Sequence, residues 1–127
     1  KGFATLECHE GLHAALAGAT VLDGATVLLE CLGNVVANEL FDADGALVVP
    51  QAVHDSLVRE IASVACRAAH LVVVANEVGG DGVDYASQTR AYQELLGGLA
   101  CELAARSALV VEVVAGVPSV LKGAGIA

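Results

Sequence analysis

Polar side chains end three stretches of this chain that have the composition of β-strands. They are Glu7, Glu30, and the neighbouring pair Asn76 and Glu77. Carboxylate and amide oxygens can accept hydrogen bonds from a bound molecule, and carboxylates can also hold Mg²⁺ through water. Ligands of open α/β sheets bind just beyond the carboxyl ends of the strands. If the stretches are parallel strands, these four side chains line one binding edge.

A second arrangement that could do chemistry is His9-Glu10-Gly11-Leu12-His13. It fits H-E-x-x-H, in which two histidines one helical turn apart bind zinc and the glutamate acts as the base. In this interpretation the chain is a zinc hydrolase with Glu30 as a third ligand. However, Gly11 weakens the helix that must align the two rings, and no further motif histidine follows. The zinc site therefore stays an alternative, and solvent-exposed helix residues are the simpler interpretation.

The stretches before the candidate side chains resemble buried strands. Thr26–Glu30 and Leu71–Ala75 are short runs rich in Val and Leu, and Leu109–Ala115 is a third. Phe3–Glu7 alternates between apolar and polar residues, which also favours a short strand. Short apolar runs are typical of parallel strands that helices cover on both faces.

Residues with helical spacing separate these strands. The apolar positions after Cys31 are Leu32, Val35, Val36 and Leu40, and those after Pro50 are Val53, Leu57, Ile61, Val64 and Ala65. Arg67 and His70 fall in the last turn of the second helix, where positive charge is favourable. Glu10–Leu16 and Ser87–Arg106 also have helical patterns. The alternation predicts one α/β domain over 1–127, with a mainly parallel sheet, flanking helices and right-handed crossovers.

Charge and hydropathy exclude two classes of partner. The net charge is −9, and the six Lys and Arg residues are scattered singly, so we expect no nucleic acid partner. Hydrophobic residues make up 56% of the chain. Even so, its longest apolar runs fall far short of the roughly 20 residues that span a bilayer. We therefore expect no membrane association.

Cysteine usage favours a reducing compartment. Cys8, Cys31, Cys66 and Cys101 are widely spaced, without a CxxC pair, and each lies in an apolar or helical context. Packed, reduced thiols are the expected state, and the sequence shows no secretory signal peptide. We therefore predict a cytoplasmic protein.

Ordered motifs along nearly the whole chain resemble the bifunctional adenosylcobinamide kinase / adenosylcobinamide-phosphate guanylyltransferase family. The matching stretches are Thr5-Leu6-Glu7, Val27–Asn34 with Asn38–Phe41, Val72–Gly79, Thr89–Tyr92 through Leu103–Arg106, and Val113–Pro118. The resemblance implies a RecA-like, P-loop-type fold, usually a homotrimer, that acts in cobalamin biosynthesis. It also implies GTP or ATP with Mg²⁺ as the nucleotide, and adenosylcobinamide, a corrinoid, as the acceptor.

The resemblance also suggests roles for the strand-end residues. Glu7 and Glu30 match two family positions that contact GTP, where a carboxylate can accept hydrogen bonds from the N1–H and amino groups of guanine. Asn76 and Glu77 are the weaker candidates for the lining of the same cleft. The resemblance assigns no catalytic residue and no metal ligand to this chain.

Several family features are missing from this sequence. There is no GxxxxGK[ST] run, and in the family the phosphate loop and the nucleophilic histidine precede the matched part. Ala100-Cys101 replaces an Asn-Gln pair of the family, and the run after Gly79 is altered. Without a phosphate loop we expect no kinase activity from this chain alone. Two interpretations stay open: part of a functional enzyme, or a degenerate, non-catalytic subunit that serves in binding or assembly.

Overall fold

The computed structural model describes residues 2–8, 11–79 and 82–124, apart from the side chain of His13. The helices within these ranges are α1 (Leu12–Ala17), α2 (Leu32–Leu40), α3 (Pro50–Arg67) and α4 (Ser87–Arg106). The strands are β1 (Thr26–Leu29), β2 (His70–Val73), β3 (Val110–Val114) and β4 (Val117–Lys122), and a short 3₁₀ helix covers Thr20–Leu22. The predicted mixture of α and β structure is confirmed.

Strands β1 and β2 form a parallel pair, in register from Thr26 with His70 to Leu29 with Val73. The face that carries Leu29 and Val73 packs against the core. Leu28 and Val72, on the other face, are 52% and 51% exposed. Among the described residues, helices therefore cover one face of the parallel pair, whereas the prediction was helices on both faces. His70 opens β2 instead of closing the preceding helix, which ends at Arg67.

The hydrophobic core lies between α2, α3 and α4. Leu32, Val36 and Leu40 recur every four residues on α2 and are fully buried. This spacing places them on one face of the helix. They pack against Leu57 and Ile61 of α3 and against Leu95, Leu96 and Leu99 of α4. Among the described residues, no helix combines the length and apolar composition that crossing a bilayer requires.

The last strand of the prediction is one arm of a β-hairpin. Strands β3 and β4 pair antiparallel, and Ala115 and Gly116 connect them with φ values of 49° and 80°. Two positive φ values in a two-residue loop match the twist of a hairpin. Gly116 therefore turns the chain back, and Pro118 pairs with Val113 inside β4. The expectation that Leu109–Ala115 is a further parallel strand, ended by Gly116 and Pro118, is wrong.

The segment before α1 also differs from its prediction. Residues 2–8 form no strand, and Gly2 to Glu7 are exposed. Alternation is a weak signal in so short a segment, because a strand needs a neighbour with which to pair its backbone. The predicted strand over Phe3–Glu7 is therefore wrong.

Candidate functional site

The carboxyl end of the parallel pair brings Glu30 close to the segment after β2. The Val74 amide donates a 3.0 Å hydrogen bond to the Leu29 carbonyl, and the Leu32 amide donates one of 2.8 Å to the Val74 carbonyl. Glu30 lies in the chain between Leu29 and Leu32, the two partners of Val74. Asn76 follows Val74 by two residues. Two residues of extended chain span at most about 7 Å. Glu30, Asn76 and the adjoining Glu77 therefore emerge at one edge of the sheet, and all three are exposed.

A groove of about 680 Å³ begins at this edge. Its lining includes Leu28 and Glu30, residues of α1, and Leu6 and Cys8 from the segment before α1. Glu7 lies in the chain between Leu6 and Cys8, so its backbone follows the groove although it is not part of a strand. The structure thus brings Glu30 and the segment around Glu7 to one groove, while Asn76 and Glu77 lie at the neighbouring strand end.

Gln93 of α4 limits the space beside the segment that contains Asn76 and Glu77. Gly79 has φ of +103°, and a Cβ atom at this position would collide with the side-chain amide of Gln93. The Nε2 atom of Gln93 is buried and has no hydrogen-bond partner among the described residues. The positive φ therefore favours glycine at position 79, and a larger residue would also require the Gln93 side chain to move.

Tyr92, beside Gln93, contacts the start of α2. Its hydroxyl donates a 3.2 Å hydrogen bond to the Gly33 carbonyl. Burial raises the pKa of Tyr92 above the ordinary 10.0, and the charge of Cys31 raises this pKa further. Sequence reasoning missed Tyr92 and Gln93, since helical spacing does not show which distant turn a helix residue will touch.

The basic side chains of the described regions are largely engaged elsewhere. Arg67 pairs with Asp23 and Arg90 pairs with Asp84. Arg106 pairs with Glu102. The Lys122 ammonium donates hydrogen bonds to the carbonyls of Ala104 and Ala105 at the end of α4. The edge that carries Glu30 and Glu77 is therefore suited to hydrogen-bond donors of a bound molecule.

The zinc pattern receives no support from the structure. His9 and Glu10 lie outside the described residues. Helix α1 begins at Leu12, and Gly11 before it has φ of 65°, which is left-handed. A helix cannot continue through such a residue, yet the pattern requires one helical turn between its two histidines. In the parts of the chain that are described, no cluster of three or more His, Cys, Asp or Glu side chains can hold a metal ion.

These features are consistent with an α/β nucleotide-binding protein whose ligand sits beyond the ends of parallel strands. Residues 1–121 match the family model described as cobinamide kinase / cobinamide phosphate guanyltransferase. The chain therefore belongs to this family, and the resemblance inferred from its motifs is confirmed. No curated protein gives a match. Membership supports a role in cobalamin biosynthesis, in a family of kinases and transferases that use nucleotide and cobinamide substrates.

Proposed function

We propose that this chain carries the guanine-recognising edge of a cobinamide kinase / cobinamide phosphate guanyltransferase, binding GTP, or ATP, with Mg²⁺. The observation that supports the proposal most is the position of Glu30. This exposed carboxylate follows β1, next to a hydrogen-bonded turn, and lines the groove. A site for adenosylcobinamide in the same protein follows from the family.

Glu30 is the proposed reader of the base. The Watson–Crick edge of guanine presents two adjacent donors, N1–H and the 2-amino group, which one carboxylate can accept together. Adenine presents an acceptor at N1, which a carboxylate opposes. Glu30 therefore favours guanine over adenine, and Glu7, Asn76 and Glu77 are assigned to the lining of the same site.

The phosphates need groups that this sequence does not supply. The 127 residues contain no GxxxxGK[ST] run, and the two lysines are Lys1 and Lys122. Lys122 caps α4. Phosphoryl transfer depends on cations and amides that stabilise the charge on the transferred group. The chain is therefore proposed to bind and orient the nucleotide, while transfer requires a phosphate loop.

Two substitutions that remove the same charge test the assignment of Glu30. In calorimetry with Mg²⁺, Glu30→Gln should weaken GTP binding about tenfold, because a carboxylate that accepts hydrogen bonds is worth more than a neutral amide. ATP binding should change much less. Glu112→Gln removes an equal charge from the exposed strand β3 and serves as the control. Equal losses for the two nucleotides would show that Glu30 does not read guanine.

We also propose that the protein is a cytoplasmic homo-oligomer, and the family resemblance favours a trimer. The hairpin exposes large apolar side chains, among them Val117 at 65% and Leu121 at 65%. Contiguous apolar patches of this kind mark association surfaces. The expectation that the cysteines are packed is wrong for Cys66 and Cys101, which are exposed, and free thiols at these positions would suit a reducing compartment.

A further inference from the structure

Tyr92 and Gly33 join α4 to the first turn of α2 at a contact that leaves no space for a side chain at position 33. Besides the hydrogen bond between them, Gly33 is buried, and a Cβ atom at position 33 would lie 2.8 Å from the Tyr92 hydroxyl. Leu96, one helical turn after Tyr92, is buried against the same glycine. The absence of a side chain at position 33 therefore lets the phenol reach the backbone.

The segment that contains Glu30 is consequently fixed from two directions. On the sheet side, the Leu32 amide is hydrogen-bonded to the Val74 carbonyl. On the helix side, the carbonyl of the next residue, Gly33, accepts the hydrogen bond from Tyr92. Two adjacent residues are thus tied to Val74, just after β2, and to α4, and Glu30 lies two residues before the first of them.

The hydroxyl of Tyr92 stays a hydrogen-bond donor under physiological conditions. Its pKa lies above 10.0, chiefly because the group is partly buried and also because a negative charge on Cys31 opposes a second one. The phenol is therefore neutral near pH 7, and its proton is available to the Gly33 carbonyl.

We infer that Tyr92 is a positioning residue for guanine recognition, which holds the turn from Glu30 to Gly33 so that the Glu30 carboxylate meets the base at a fixed angle. This inference rests on the proposed function. Two simultaneous hydrogen bonds to one carboxylate require a narrow range of orientations. Losing the Tyr92 bond should therefore reduce the preference for guanine more than it reduces nucleotide binding in general.

Tyr92→Phe tests the inference, because it removes one oxygen and keeps the ring. We expect GTP affinity to fall about threefold to tenfold, as for the loss of one hydrogen bond, with ATP affinity unchanged. The matched control is Ser107→Ala, which removes a 2.7 Å bond from a hydroxyl to the Leu103 carbonyl at the far end of α4. A purely structural role for Tyr92 would lower the melting temperature and leave the ratio of the GTP and ATP dissociation constants unchanged, which would overturn the inference.

Hydrogen exchange of the nucleotide-free protein separates this inference from the proposed function. Tyr92→Phe should speed exchange of the amides in the first turn of α2, and unchanged exchange would overturn the inference whatever the nucleotides do. If exchange speeds up but the unmodified protein shows no preference for GTP, the proposed function fails, and the role of Tyr92 in recognition fails with it. The exchange data would then still establish the contact itself.

Gly33→Ala gives a second, independent test, because its effect on the melting temperature should reverse when Tyr92 is replaced by Phe. With Tyr92 present, the added methyl group should displace the hydroxyl, lower the melting temperature and weaken guanine preference. Combined with Tyr92→Phe, the same methyl group has room and should raise the melting temperature, because alanine favours helices over glycine. Additive effects of the two substitutions would mean that the residues do not act through each other.

Discussion

The Nε atom of Arg67 donates a 2.7 Å hydrogen bond to the carboxylate of Asp23, which joins the end of α3 to the turn after the 3₁₀ helix. The other two nitrogens of the same guanidinium donate to the carbonyls of Leu16 and Ala19, at 2.9 Å and 2.7 Å. One side chain thus satisfies three acceptors on a segment that also borders the groove. The rigid, forked geometry of arginine makes this possible.

Arg67→Ala is therefore expected to lower the free energy of unfolding by about 2 kcal/mol, because two carbonyls lose charged hydrogen-bond donors. Urea denaturation measures the change. Asp23→Asn is the control: it removes the charge of an exposed partner and should cost less than about 1 kcal/mol. Equal losses for the two variants would show that the ion pair, and not the pair of carbonyl contacts, supplies the stability.

The raised pKa of Tyr92 should appear in the pH dependence of the free energy of unfolding above pH 10. Its pKa is raised in the folded protein, so above pH 10 the unfolded chain loses this proton first. The free energy of unfolding is then unaffected by this group below about pH 10 and falls as pH rises towards the folded pKa. Urea titrations across this range should show a steeper fall for the unmodified protein than for Tyr92→Phe. Parallel curves for the two proteins would contradict the raised pKa of this partly buried phenol.

The spacing of apolar residues along the chain predicted individual helices and strands. Apolar residues spaced as in Leu32, Val36 and Leu40 can bury one side only in a helix, and α2 covers this stretch. The apolar run Thr26–Glu30 predicts a strand, and β1 covers it up to the residue before Glu30. The arrival of Glu30 at the same edge as Asn76 then follows from parallel pairing.

Contacts between distant segments escaped prediction. Gly116 and Pro118 resemble a terminator when read singly, but the positive φ values at Ala115 and Gly116 make a hairpin turn, and β4 follows. Tyr92 meets Gly33 across 59 positions of sequence. Helical spacing assigns a face to Tyr92 without naming its partner, so the contact could not be read from the sequence.

The hairpin gives a test of self-association. Val114 lies opposite Val117, and Val113 lies opposite Pro118, so both faces of the ribbon expose apolar groups. Val117→Glu should raise the dissociation constant of the oligomer at least about tenfold, since a buried charge without a partner is costly at an interface. Sedimentation velocity across a range of concentrations measures the shift.

Ser63→Glu is the matched control for this experiment. It adds the same charge to an exposed polar position of α3, away from the hairpin. The control should remain more associated than Val117→Glu. Identical sedimentation of both variants and the unmodified protein, or a monomer at every concentration, would show that the hairpin is not an association surface.

Glu77→Gln tests the role of Mg²⁺, because its effect on GTP affinity should reverse when Mg²⁺ is added. Glu77 and Glu30 lie at one edge of the sheet, where two carboxylates repel the phosphates of a nucleotide unless a divalent cation neutralises them. Without Mg²⁺, Glu77→Gln should strengthen GTP binding about threefold, because one repulsive charge is removed. With Mg²⁺ the same substitution should weaken binding, because a ligand of the cation is lost. Calorimetry in EDTA and in Mg²⁺ measures both effects, with Glu112→Gln as the distant control. A loss of affinity that is equal in the two buffers would instead identify Glu77 as a direct contact of the nucleotide that acts without the metal.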